Sequence, residues 1–145
     1  MVRGEDMLIS TRGEYGLRAM MMLAAEYSGG PLPLRVIAEK EHLSAQYLEH
    51  LFRDLRNNGL VESFRGAKGG YKLAKSPEEI TVGNVLWALE GTLAPMECVA
   101  GEKEVQCRHT DGCPTKFVWE KLKAAMDEVL DTTTLADILT QATEE

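Results

Sequence analysis

The sequence predicts a mainly α-helical chain with one small β wing. Three observations carry that expectation. Apolar residues recur at helical spacing in six segments, each bounded by capping or breaking residues. A glycine-rich basic stretch, Arg65-Gly66-Ala67-Lys68-Gly69-Gly70, separates two short strand-like runs. One longer stretch, Gly91 to Gly112, has no periodicity and is rich in glycine and charge.

The first helix is expected over Thr11 to Tyr27. Leu17, Met20, Met21, Leu23 and Ala24 recur at helical spacing there, and Ser28-Gly29-Gly30-Pro31 stops it. Leu34 to Glu41 is a short helix with Leu34, Val36 and Ile37 inward, and His42-Leu43 is a tight turn. Ser44 is placed to N-cap a third helix, Ala45 to Asn57, with Leu48, Leu51, Phe52 and Leu55 on one face. Asn58-Gly59 ends it. Leu60 to Phe64 and Tyr71 to Ala74 are the two strands of the wing. Ser76-Pro77 marks a boundary, and Thr81 to Glu90 is a helix with Val82, Val85, Leu86 and Leu89 apolar. Pro114 suits a first helical turn, and Val118, Leu122, Ala125, Met126 and Val129 continue that helix to Leu130. Thr134 to Ala142 closes the chain.

Helix, helix, tight turn, helix and two-stranded wing is the order of a winged helix-turn-helix. Its third helix would enter the major groove of double-stranded DNA. The exposed residues at that helix's start are Ser44, Gln46, Tyr47, Glu49 and His50. Gln can pair bidentately with adenine, and Glu can accept from cytosine. At the wing, Arg65 can reach a minor groove, Gly66 lets the backbone approach phosphate, and Lys68 adds charge. Arg53, Arg56 and Lys72 are phosphate-contact candidates. Tyr47 fits the core as well as the interface, Glu49 fits simple solvent exposure as well, and a winged lobe can also serve protein contacts.

Charge supports a local nucleic-acid face. The 145 residues carry a net charge of −7, yet residues 1–76 hold 11 Lys/Arg against 9 Asp/Glu, and residues 77–145 hold 5 against 14. No apolar run is long enough to span a membrane, and the charged start is not a secretory signal, so the expected location is cytoplasmic. The only cysteines are Cys98, Cys107 and Cys113. Three is odd for a disulfide framework and one short of a four-thiolate cage. A thiolate triplet on a loop suits a soft metal or an iron–sulfur cluster with one site left for another ligand. His109 could complete it, and the three thiolates with His109 would also make a tetrahedral zinc site.

Residues 8–75 resemble the winged-helix regulators of the IscR/NsrR type, the Rrf-two superfamily. The matching stretches are Leu8-Ile9-Ser10-Thr11-Arg12, Tyr15-Gly16-Leu17-Arg18-Ala19-Met20, Ser44-Ala45-Gln46-Tyr47-Leu48-Glu49, Leu55-Arg56-Asn57-Asn58-Gly59-Leu60-Val61, and the wing from Arg65 to Ala74. The likeness continues through Ile80-Thr81-Val82, Leu86-Trp87-Ala88-Leu89-Glu90-Gly91, the cysteines, Cys113-Pro114-Thr115 and Trp119. It implies a homodimer on a partly palindromic operator, sensing through a 2Fe–2S or 4Fe–4S cluster. It also makes Met7 the usual start, with Met1 to Asp6 an extension or a misassigned start.

The eight residues between Cys98 and Cys107 make a longer gap than the resemblance implies, while the five between Cys107 and Cys113 match it. The IscR-like branch has a fourth ligand, a His, three residues past the last Cys; here that position is Lys116. In NsrR-like members an acidic residue on the first helix of the partner subunit serves instead, and Glu14 stands there. On that resemblance and on oxygen-ligand chemistry, Glu14 is preferred over His109 as fourth ligand, a labile oxygen leaving one iron open to a small molecule such as nitric oxide. The ordinary alternative for Glu14 is a surface acid paired with Arg18 one turn on.

The expected division is a winged helix-turn-helix DNA-binding domain at 7–76, a linking helix and cysteine loop at 77–113, a dimerisation helix at 114–131, and a closing helix and tail at 132–145. The expected function is a transcriptional regulator, a repressor or activator, that senses redox, iron–sulfur status or nitric oxide. The alternative is a cluster-free repressor controlled by thiol oxidation or a partner protein. No Cys-x-x-Cys, nucleotide-binding loop or Ser/His/Asp arrangement argues for an enzyme.

Overall fold

The computed structural model describes residues 9–91, 93–95 and 113–143. Cys98, Cys107 and His109 lie outside those residues. Helix α1 (Thr11–Ala25) starts at Ser10, whose side chain accepts from the Arg12 N–H at 3.2 Å. This meets one of the unpaired donors of a helix start. Ala19, Met20, Leu23 and Ala24 are buried, while Leu17 and Met21 are half-buried at the edge of the same core. The helix stops two residues earlier than its periodicity predicts, because the Tyr27 N–H turns back to the Ala24 carbonyl.

Helix α2 (Leu34–Glu41) buries Ile37 and ends at His42, which adopts a left-handed conformation at φ 55°. That reversal aims the chain into α3 (Ala45–Asn57). The four apolar residues expected of α3, Leu48, Leu51, Phe52 and Leu55, are fully buried. Strands β1 (Val61–Phe64) and β2 (Gly70–Leu73) pair antiparallel with Val61 opposite Leu73 and Phe64 opposite Gly70. β1 starts one residue later than expected and ends where expected, and β2 lies one residue earlier than expected. Leu32 and Tyr71 exchange two backbone hydrogen bonds of 2.9 Å, so the loop before α2 acts as a third rung of the wing. Gly70 makes this possible: its φ is +148°, and a Cβ there would lie 2.3 Å from the Leu32 carbonyl oxygen.

A single-turn 3₁₀ segment, Pro77–Glu79, leads to α4 (Val82–Glu90), and sequence patterning did not resolve it. Thr81 and Asn84 form a reciprocal capping box at the start of α4, with bonds of 3.0 and 2.9 Å. Helix α5 (Lys116–Thr132) starts two residues after the Pro114 expected in its first turn. The Lys116 and Val118 N–H groups instead make tight bonds back to the Cys113 and Thr115 carbonyls, at 3.3 and 3.0 Å. Helix α6 (Leu135–Thr143) returns to the first half of the chain. Val82 N–H to Thr133 carbonyl, at 2.8 Å, and Leu135 N–H to Ile80 carbonyl, at 2.9 Å, anchor it, and Leu135 is fully buried in the main core.

No described helix is long and apolar enough to cross a membrane. The described residues form six α-helices and one two-stranded sheet, the α-plus-wing class that the sequence predicts.

Candidate nucleic-acid interface and cysteine site

Helix α3 presents two opposed surfaces. Its apolar stripe faces the core, and Gln46, Glu49, His50 and Arg53 stand exposed on the other side. Ser44 lies at the N-cap, where its hydroxyl oxygen accepts from the Tyr47 N–H at 3.1 Å and its own O–H can still donate. Tyr47 is half-buried and packs against the core, so only part of it reaches the surface. The wing presents Arg65, Gly66 and Lys68 exposed, and Lys72 half-buried on β2 opposite Glu62.

Helix and wing are held to one another by aromatic packing. The rings of Phe52 in α3 and Tyr71 in β2 lie 4.6 Å apart with planes tilted by 40°. Such a pair contributes about 0.5–1.5 kcal/mol beyond its buried area. Between the wing and the start of α2 lies an open cleft lined by Pro33, Leu34, Arg56, Ser63, Arg65 and Tyr71. Pro33 caps α2 without a side-chain hydrogen bond, and the cleft brings the start of α2 beside Arg56 and Arg65. Helix starts and arginines of this kind suit a phosphate.

The cysteine site is described through one of its thiols. Cys113 is half-buried just before α5, with a free thiol. The Thr115 hydroxyl, 3.5 Å from its sulfur, leads the groups that hold the thiol below its ordinary pKa; backbone donors and the Lys116 charge add to it. Glu14 lies exposed in the first turn of α1, where the helix dipole favours an acid. The ordinary alternative for it, a pairing with Arg18, is not formed. Arg18 pairs instead with Glu41 of α2, whose hydrogen bond and then charge raise the guanidinium pKa. The two-acceptor carboxylate of Glu41 matches the planar guanidinium, and Glu14 is left without an ion pair among the described residues. Among those residues no three metal-ligating side chains come together.

One group of polar contacts escaped the sequence reading. Arg12 pairs with Asp54 of α3 and donates to the Leu89 carbonyl of α4. A signal was there: a cation in the first turn of a helix opposes the dipole and calls for an acidic partner.

The family model Rrf2, described as "Iron-dependent Transcriptional regulator", matches residues 9–141. The chain is 42% identical over 132 residues to the HTH-type transcriptional regulator CymR of Bacillus subtilis (strain 168), covering 91% of this chain and 89% of the relative. The solved structure of CymR (YrzC), titled the global cysteine regulator of B. subtilis, superposes with a TM-score of 0.77 at 39% identity, over 97% of this chain and 98% of that one. The structure of T. potens IscR gives a TM-score of 0.74 at 42% identity, over 97% and 91%. A winged lobe, an exposed polar face on its third helix and these likenesses agree: the chain belongs to the Rrf2 family of transcriptional regulators, and not to a family of enzymes.

Proposed function

We propose that this regulator binds a partly palindromic operator as a homodimer and senses redox, iron–sulfur status or nitric oxide through a cluster held by Cys98, Cys107 and Cys113. The carrying observation is the triplet Cys98, Cys107 and Cys113, which supplies the thiolate donors such a cluster takes, with the free thiol of Cys113 at the foot of α5. Glu14, exposed on α1 and without an ion pair among the described residues, is the fourth ligand, given by the partner subunit; His109 is the weaker candidate. When bound, the cluster supplies a redox-labile centre. The protein's own residues do the rest.

Gln46, Glu49 and His50 read base edges in the major groove, with Ser44 and the exposed part of Tyr47 beside them. Arg53, Arg56 and Lys72 hold phosphates, and Arg65, Gly66 and Lys68 carry the wing to the backbone and minor groove. The domain division is 7–76 for DNA binding, 77–113 for linkage and sensing, 114–131 for dimerisation and 132–145 for closure. Half-sites sit about 34 Å apart, one duplex turn, so a small change in the angle between two lobes alters affinity.

A second reading is a cluster-free repressor controlled by thiol oxidation or a partner protein. It is favoured by Cys113, a free thiol at the start of α5, and by the relative titled a global cysteine regulator.

The deciding experiment loads the full chain anaerobically with iron and sulfide. Iron and sulfide are counted, the visible spectrum recorded, and affinity measured for a duplex selected from a random pool. Matching iron and sulfide with visible bands, lost together with the loading-dependent affinity in Cys107→Ala, is the expected result. Arg65→Ala should weaken binding by about 1–3 kcal/mol in both states. A colourless protein after loading would pass the function to the second reading.

A further inference from the structure

Three helices meet at a polar joint that base reading and cluster binding leave unused. Arg12 sits in the first turn of α1, and two groups from distant parts of the chain hold its guanidinium. Nε donates to the Leu89 carbonyl, in the last turn of α4, at 3.2 Å, and Nη2 pairs with the Asp54 carboxylate of α3. Beside it the Ser10 N–H donates to Glu90 Oε1 at 2.6 Å. Gly13 admits that carboxylate, since a Cβ there would lie 2.3 Å from Glu90 Oε2. That second oxygen is buried and accepts no hydrogen bond among the described residues. Gly91, with φ of 78°, then ends α4, and the chain runs on to Cys98 and Cys107.

We propose that Arg12 is a positioning residue for DNA reading, coupling the last turn of α4 to the recognition helix α3. The inference rests on the reading of α3 as the base-reading helix and of the segment after Gly91 as the sensor. A guanidinium is a rigid planar fork, so its two acceptors keep a fixed relation to one another. Leu89 belongs to the element that leads into the cysteines, and Asp54 to the helix that carries Gln46, Glu49 and His50. When the last turn of α4 shifts, Arg12 either follows and moves Asp54 or releases one partner. Both outcomes change the angle of α3. The pair suits a joint that opens, because the Arg12 and Asp54 side chains are 36% and 39% exposed and water can replace either partner.

A triple-mutant cycle on iron-free full-length protein tests this. Operator affinity is measured for wild type, Glu90→Gln, Asp54→Asn and their combination, then for the same four with Arg12→Gln. The expected result is that the combined change departs from the product of the single changes by about threefold or more with Arg12, and by nothing measurable without it. Single effects that multiply independently in the presence of Arg12, or a departure that survives Arg12→Gln, overturn the proposal. A brace with no role in DNA reading would lower the thermal midpoint of each variant and leave the affinities multiplying, which also overturns it. Arg12→Lys, which keeps the charge and loses the fork, repeats the cycle should Arg12→Gln fail to fold, with the same two outcomes. Wild-type affinity that ignores iron and sulfide loading would remove the cluster reading, while the cycle on iron-free protein still decides on Arg12.

Discussion

The lobe built from α1 to β2 and helix α5 dispose of their apolar side chains in opposite ways. In the lobe, α3 buries Leu48, Leu51, Phe52 and Leu55 completely, and its exposed face is polar. In α5, Leu130 alone is buried, while Phe117 is 67% exposed and Val129 60%, with Val118 and Leu122 also open. The lobe is a closed scaffold whose surface is free to read another molecule. Helix α5 leaves an apolar side open among the described residues: Val118, Leu122, Ala125 and Val129 fall on one stripe, which borders an apolar depression also lined by Ile9, Leu93 and Met126. The contrast teaches where each part finds its stability. The lobe takes it from its own core, and α5, on the reading proposed above, from a second copy.

Three changes break or sharpen that contrast. The largest effect is expected from Phe52→Ala, which empties the centre of the closed core and removes the ring packed on Tyr71. A loss of about 3–5 kcal/mol in denaturant unfolding is expected, and a loss under about 1 kcal/mol would show that the core is not closed around Phe52. Next, Val129→Asp should leave the helical content of the chain in place yet weaken self-association at least about tenfold, roughly 1.4 kcal/mol, by sedimentation equilibrium. An unchanged dimer would move the partner to another face. The smallest is Thr81→Ala, which removes half of the capping box of α4, where the two regions join. A loss of about 1 kcal/mol in thermal unfolding is expected, with oligomeric state unaltered. A change in assembly would mean that α4, too, belongs to the open half.

Legibility followed the range of the interaction. The apolar face of α3 was readable because four residues at spacings of three and four can be buried together only on a helix. The wing was readable because glycines flanked by β-forming residues leave few alternatives, while the exact ends of β2 were not, because Leu32, far away in the chain, pairs with Tyr71. The polar face with Gln46, Glu49 and His50 followed from the apolar one by elimination. Partners of charged groups were not readable in this way. Local spacing offered Arg18, four residues on, as the ordinary partner of Glu14, but Glu41 on the neighbouring helix offers Arg18 two oxygens. Arg12, Asp54 and Leu89 are separated by 42 and 77 positions, and no periodicity links them.

The sequence by itself determined the elements: which segments are helices, where the wing turns, which residues are cysteines and which face of α3 is left polar. These depend on backbone preference and hydrophobic period, both short-range in the chain. The tertiary structure alone decided that Arg12 joins α1, α3 and α4, that Phe52 ties α3 to the wing through Tyr71, and that α6 returns to bury Leu135 beneath the first half. The physical reason is that an ion pair or a ring contact depends on distance in space, and elements far apart in sequence reach that distance only once the core has packed.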